Sequence, residues 1–189
     1  MTKYILHGGC TGIKCESNNR FFAEILKDLK ESARILMIYF AKPEEEWEDK
    51  LRKDKISFSS NSGGKKFELI LANPDIKKLI EQIINADAVY LHGGNQDILK
   101  EKMAPIANLK ELFEGKTIAG SSAGAILLAE YSHSRSSIQP HKGLGIMPIK
   151  LVVHYSEELD NKLEDLKKYG DENMETYAIA ETEFVVIET

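Results

Sequence analysis

Brief apolar runs alternate with amphipathic stretches along most of the chain. Tyr4–Leu6, Ile35–Phe40, Phe67–Ala72, Ala88–Leu91, Thr117–Ala119 and Ile149–Tyr155 are short and mostly apolar, the pattern of strands buried in a sheet. Between the first two, Phe21, Phe22, Ile25, Leu26 and Leu29 recur at helical spacing, which predicts a helix over 19–30. Pro43 and Glu44–Glu46 open a second helix, with proline in its first turn and acids at the positive end of its dipole. Pro74-Asp75 opens a third helix through Ile84, and a fourth runs on from Asn95 and breaks near Pro105. Ala125–Ala129 has the composition of a buried helix. Ser156, with Glu158 and Leu159 onward, predicts an N-capped charged helix. Tyr131–Gly145, rich in serine and histidine, is predicted irregular, and Tyr177–Ala180 and Phe184–Ile187 close the chain as strands.

This alternation predicts βαβ units: an α/β fold with a mostly parallel sheet flanked by helices on both faces. In such sheets ligands sit at the carboxyl ends of the strands. Gly8-Gly9, Gly93-Gly94, Ser122, His154 and Glu181 each follow the end of a predicted strand, so the pattern gathers them at one edge.

Composition narrows the class without naming a chemistry. A length of 189 residues favours one domain over 1–189. A net charge of -5 argues against an electrostatic nucleic-acid footprint. No apolar run reaches the roughly 18 residues of a transmembrane helix, and Met1–His7 enters a strand without a signal-peptide core. The expectation is a cytoplasmic protein with no membrane partner, and a homodimer stays open. Cys10 and Cys15 are too few for a disulfide scaffold or a four-ligand zinc site. They read as free thiols without a role, and neither a metal nor an organic cofactor is expected.

The candidate chemistry centres on Gly120-Ser-Ser122-Ala-Gly124, a G-x-S-x-G between a predicted strand and a predicted helix. A sharp strand-to-helix turn lifts the central serine clear of the sheet, so Ser122 is the expected nucleophile. Such a serine needs a base, and the base an orienting acceptor. His154 ends the run Leu151–Val153 and is the expected base. His7 and His92 also end strands but look like parts of loop walls, while His133 and His141 lie in the irregular stretch. Glu181 meets the same positional test as third member, with Glu183 as its rival. Glu157 and Glu158 are accounted for by the first turn of a helix. Gly93-Gly94-Asn95 allows close backbone approach to a ligand. With the N–H of Ala123, this loop would form an oxyanion hole, although a tight βα turn explains the same residues.

The order Ser122, His154, Glu181 differs from the Ser, acid, His order of α/β-hydrolases. Leu91–Gln96, Ile118–Ala125, Gly143–Pro148 leading to Val153-His154, and Tyr177–Glu181 together resemble the peptidase E family, serine peptidase family S51, which holds aspartyl dipeptidases and cyanophycinases. The resemblance implies a class I glutamine amidotransferase-like fold in which serine replaces the usual cysteine of the elbow. It further implies Ser122 as nucleophile, His154 as base, Glu181 as orienting acid, and Gly94 with Ala123 as oxyanion donors. The substrate would be a short peptide, expected to be a dipeptide with an N-terminal acidic residue. An acidic side chain calls for a cationic partner. Of the chain's arginines, Arg20, Arg34, Arg52 and Arg135, only Arg135 lies in the loop after the elbow helix, so Arg135 is the expected side-chain contact, with Asn95 beside it. The family's Pro-Glu-Gly reads Ala180-Glu181-Thr182 here. An amidase or glutaminase on the same scaffold, and a silent binding protein that keeps the pocket, are the competing readings.

Overall fold

The computed structural model describes residues 1–135 and 137–189. The chain runs β1 (Lys3–His7), α1 (Glu16–Leu26), β2 (Ala33–Ile38), α2 (Trp47–Ser60), β3 (Phe67–Leu71), α3 (Ile76–Asn85), β4 (Ala88–Leu91), α4 (Gln96–Met103), α5 (Leu109–Phe113), β5 (Thr117–Ser121) and α6 (Ala123–Leu128). It continues through β6 (Ala129–His133), β7 (His141–Lys142), β8 (Met147–Tyr155), α7 (Asp160–Lys168), β9 (Thr176–Ala180) and β10 (Phe184–Glu188).

One sheet has six strands in the order β10-β1-β5-β4-β2-β3. All its pairs are parallel except β1 with β10, where the last strand returns antiparallel and pairs Lys3 with Glu188 through His7 with Phe184. The chain crosses the sheet one way for β1, β2 and β3, then the other way for β4 and β5. Right-handed crossovers therefore put α1 and α2 on one face and α3 to α5 on the other. The packing agrees, since α1 contacts α2 and α3 contacts α5. The α/β, mostly parallel architecture read from the alternation is the one observed.

A second sheet, β7-β6-β8-β9, was not legible in the pattern. The segment expected to be irregular contributes β6, which pairs parallel with β8 and antiparallel with β7. Its sequence Ala-Glu-Tyr-Ser-His is too short and polar to match the continuous apolar runs of the larger sheet, and Tyr131 packs beside Val152, Leu159 and Leu166 in a small cluster of its own. His133, placed by default at the surface, is buried on this strand with its Nδ1 2.7 Å from Ser137 Oγ. Helix ends shift as well. Glu44–Glu46 form a 3-10 turn ahead of α2. Ser156 makes no capping bond, and its hydroxyl is buried without a partner among the described residues. Asp75, by contrast, caps α3 by accepting from Lys78 N at 3.1 Å.

One apolar core joins the two sheets, from Ile5, Leu36 and Tyr90 to Leu151, Val153 and Ile179. Phe21, Phe22, Phe58 and Tyr90 meet edge-on at its centre, with ring centroids 5.0–6.5 Å apart. No helix among the described residues is long and apolar enough to cross a membrane.

Candidate active site

The elbow follows from the close approach of α6 to the sheet. A β-carbon on Gly120 would overlap the backbone of Gly124 and Ala125, and one on Gly124 would overlap Leu91. The two glycines let the helix begin directly on β5 and β4. The residue between them absorbs the turn: Ser122 has φ 50° and ψ -110°, a conformation that costs a non-glycine residue roughly 1–3 kcal/mol and clusters at functional sites. Its N–H is held by His7 O at 2.9 Å, which leaves the side chain facing out of the sheet edge.

His154 arrives from the second sheet. A bulge interrupts the β8–β9 register between Val153 and Tyr155, and His154 sits there at φ 52°. A bulge re-aims a side chain that would otherwise follow the strand's alternation. Here it brings His154 Nε2 to 2.9 Å from Ser122 Oγ. The ring's other nitrogen, Nδ1, lies 2.9 Å from Glu181 Oε1, in the turn just after β9. An ionised carboxylate only accepts hydrogen bonds, so in the neutral ring Nδ1 carries the proton and Nε2 offers its lone pair to the serine hydroxyl.

Glu181 is half-exposed, and its pKa is held below the ordinary carboxylate value, first by His154 and then by the Cys10 thiol beside it. The same contact, added to burial, pushes the Cys10 thiol up. Cys10, His154 and Glu181 can place their ligand atoms within 4.8 Å of one another. The thiol to which the sequence assigns no role therefore touches the acid, an adjacency that spacing along the chain does not signal. Glu183, the rival acid, acts electrostatically on His7 instead.

The loop after β1 holds these parts together. Gly8 O accepts from His154 N at 2.9 Å, Gly8 N donates to Glu183 O at 2.9 Å, and Gly9 O accepts from Thr182 N at 2.9 Å. His7 anchors the loop from below: its Nδ1 accepts from Gly9 N at 3.0 Å, and its Nε2 donates to Asn18 Oδ1 at 2.8 Å. Burial lowers its pKa, which suits a neutral ring with one donor and one acceptor. His7 and His92 are buried loop supports, as their glycine neighbours suggested.

A cavity of about 570 Å³ opens over Ser122 and His154, lined also by Gly94, Asn95, Asp97, Ala123, Arg135 and Glu181. Asn95 caps α4 by accepting from the N–H groups of Asp97 and Ile98 at 2.9 and 3.1 Å. Arg135 lies 3.7 Å from Glu158 in an exposed pair. Lys162, on α7, donates to the carbonyls of Ser134, Arg135 and Ser137 at 2.6–2.9 Å, so it tethers the arginine's loop. The elements thus bring Ser122, His154, Glu181, Gly94, Ala123, Asn95 and Arg135 to one cavity.

A family model described as peptidase family S51 matches residues 4–189. Among solved structures, a peptidase from an acI-B1 Actinobacterium superposes with a TM-score of 0.70 at 19% identity, covering 99% of this chain and 83% of that one. A protein carrying the peptidase E name, from Listeria monocytogenes EGD-e, superposes with a TM-score of 0.66 at 16% identity, covering 99% of this chain and 94% of that one. No curated protein matches the sequence.

Proposed function

Because the chain belongs to peptidase family S51 and is on that ground a peptidase, we propose that it is a serine peptidase that cleaves dipeptides with an N-terminal acidic residue through Ser122, His154 and Glu181. The observation that carries this reading is the unbroken line of two 2.9 Å contacts from an elbow serine through an imidazole to a carboxylate. Each member has the geometry its role requires.

In the proposed reaction Ser122 Oγ attacks the peptide carbonyl while His154 Nε2 takes its proton. Glu181 accepts the Nδ1–H bond and stabilises the imidazolium. The developing oxyanion is held by the N–H groups of Ala123 and Gly94. Ala123 is the first residue of α6, where a helix leaves its N–H without an internal partner. For Gly94 the support comes from His92, whose Nδ1–H donates to Gly93 O at 2.8 Å. In a trans peptide this turns the Gly94 N–H to the opposite side. His154 then protonates the leaving amine, and water, activated by the same imidazole, releases the acid from Ser122. In this reading Arg135 receives the acidic side chain of the first residue, and Asn95 fixes the loop it caps.

The test is turnover of a dipeptide panel by wild type and Ser122→Ala, alongside labelling by a fluorophosphonate probe. Loss of the nucleophile should reduce kcat by about 10⁶-fold with the fold intact. Retention of a tenth of the activity would reject Ser122, and a wild-type protein that neither turns over the panel nor takes the probe would be a silent relative.

A further inference from the structure

A second cavity, about 390 Å³, meets the first along Gly94, Ser122 and His154 and shares no other lining residue with it. Its walls are the β1 loop at Cys10–Gly12, the buried His92, and two lysines, Lys42 and Lys50. Lys42 follows β2 and is pinned through its backbone, since its carbonyl accepts from Trp47 Nε1 at 3.0 Å. Lys50 lies one turn into α2.

The two lysines stand out by what they lack. Every other lysine withdrawn from solvent spends its ammonium on a carboxylate or on backbone carbonyls: Lys3, Lys65, Lys100, Lys116, Lys150 and Lys162. Lys42 and Lys50 are half-buried, yet neither has an ion pair or side-chain hydrogen bond among the described residues. Withdrawing an ammonium from water without a partner is unfavourable; both line this cavity, and Lys50 acts on the buried Asp54 carboxylate only through space, without an ion pair. No aspartate or glutamate lines this cavity, whereas Asp97 and Glu181 line the other. Both lysines also add to burial in holding the His92 ring neutral, at a pKa of about 4.

We infer that Lys42 and Lys50 form the receptor for the free C-terminal carboxylate of a dipeptide whose scissile carbonyl lies at Ser122. This rests on the dipeptidase reading above. A zwitterionic dipeptide crossing Ser122 places its ammonium in the cavity that carries Asp97 and Glu181. Its carboxylate falls in the lysine cavity, on the leaving-group side. The arrangement measures the substrate: a longer peptide would put a neutral amide where the two ammonium groups require an anion. It also leaves Arg135, in the first cavity, to the acidic side chain.

The experiment compares aspartyl-leucine with aspartyl-leucinamide, which differ only in the C-terminal charge. Binding is measured calorimetrically on Ser122→Ala protein, so that it does not depend on turnover. The acid should bind about tenfold or more tightly than the amide. Lys42→Met with Lys50→Met should erase that preference, and Lys42→Arg with Lys50→Arg should keep most of it, with unfolding temperatures showing that each variant folds. Equal affinity for acid and amide overturns the assignment. So does an equal loss on both when the lysines are removed, which would mean that they read the aspartyl side chain, and so does absence of saturable binding. Hydrolysis by wild type is scored separately. Acid-selective binding without any turnover would sink the serine peptidase reading while leaving the carboxylate receptor in place.

Discussion

Gly9 faces the imidazole of His154 so closely that a β-carbon on the glycine would stand 2.6 Å from Nε2 and 2.8 Å from Nδ1. The ring is thereby fixed from its open side by a residue remote from it in the sequence. With Ser122 on one nitrogen and Glu181 on the other, His154 has contacts on three sides.

Gly9→Ala should therefore act on catalysis out of proportion to its size. The methyl group has nowhere to go without displacing the ring, and φ at this position is 121°, a backbone state that alanine resists. A shift of about 1 Å in the base can cost on the order of 100-fold in rate. Gly9→Ala should lower kcat by about that factor while the protein still takes up its fold by circular dichroism. A variant with more than half of wild-type kcat would show that the ring is positioned some other way.

The acid should be separable from its rival by kinetics. Glu181 bonds to His154, whereas Glu183 acts on His7. Glu181→Gln should reduce kcat more than Glu183→Gln, and His154→Ala should be about as damaging as loss of the serine because the two act as one unit. If Glu183→Gln proves the more damaging, the acid has been misassigned.

Arg135 carries the proposed preference for an acidic first residue. Its present partner, Glu158, is an exposed carboxylate 3.7 Å away, a pair weak enough for a substrate carboxylate to displace. Arg135→Ala should lower kcat/KM by about tenfold for aspartyl dipeptides and leave asparaginyl ones unchanged. Equal losses on both substrates would remove it from side-chain recognition.

Asp54 makes a prediction about stability and pH. It is buried, accepts the Tyr39 hydroxyl at 2.8 Å, and has its pKa raised by burial from 3.8 to about 6. The folded protein thus holds this proton more tightly than the unfolded chain. The resulting stabilisation is complete below about pH 4 and is lost as pH rises through 6, a change on the order of 3 kcal/mol. Asp54→Asn should raise the unfolding temperature relative to wild type, by more at pH 7 than at pH 4. An offset that does not vary with pH would show that Asp54 does not titrate in this way.

Local pattern was enough for several features. The apolar runs determined which segments became the parallel strands of the larger sheet, since burial on both faces demands continuous apolar sequence. The G-x-S-x-G between strand and helix determined the elbow, because only small residues on either side allow α6 to rest on β5. The positions of His154 and Glu181 after apolar runs also placed them at the ends of strands, the edge where an α/β sheet gathers its ligands.

Tertiary structure decided the rest. β6 has no continuous apolar run to announce it, and its pairing with β8 is a contact between separate segments. The bulge that turns His154 toward Ser122 is a property of the β8–β9 register and leaves no mark in the run Leu151–Val153. Cys10 meets Glu181, and Gly9 meets His154, because the β1 loop donates to and accepts from backbone groups at 154, 182 and 183. Lys42 and Lys50 read along the chain as ordinary charged positions. Their isolation in a cavity beside Ser122 exists only once α2, the β4 loop and the β1 loop have packed around them. Periodicity records which face of an element is buried, but the partner that buries it is chosen by long-range packing, and it is at those long-range contacts that this site is assembled.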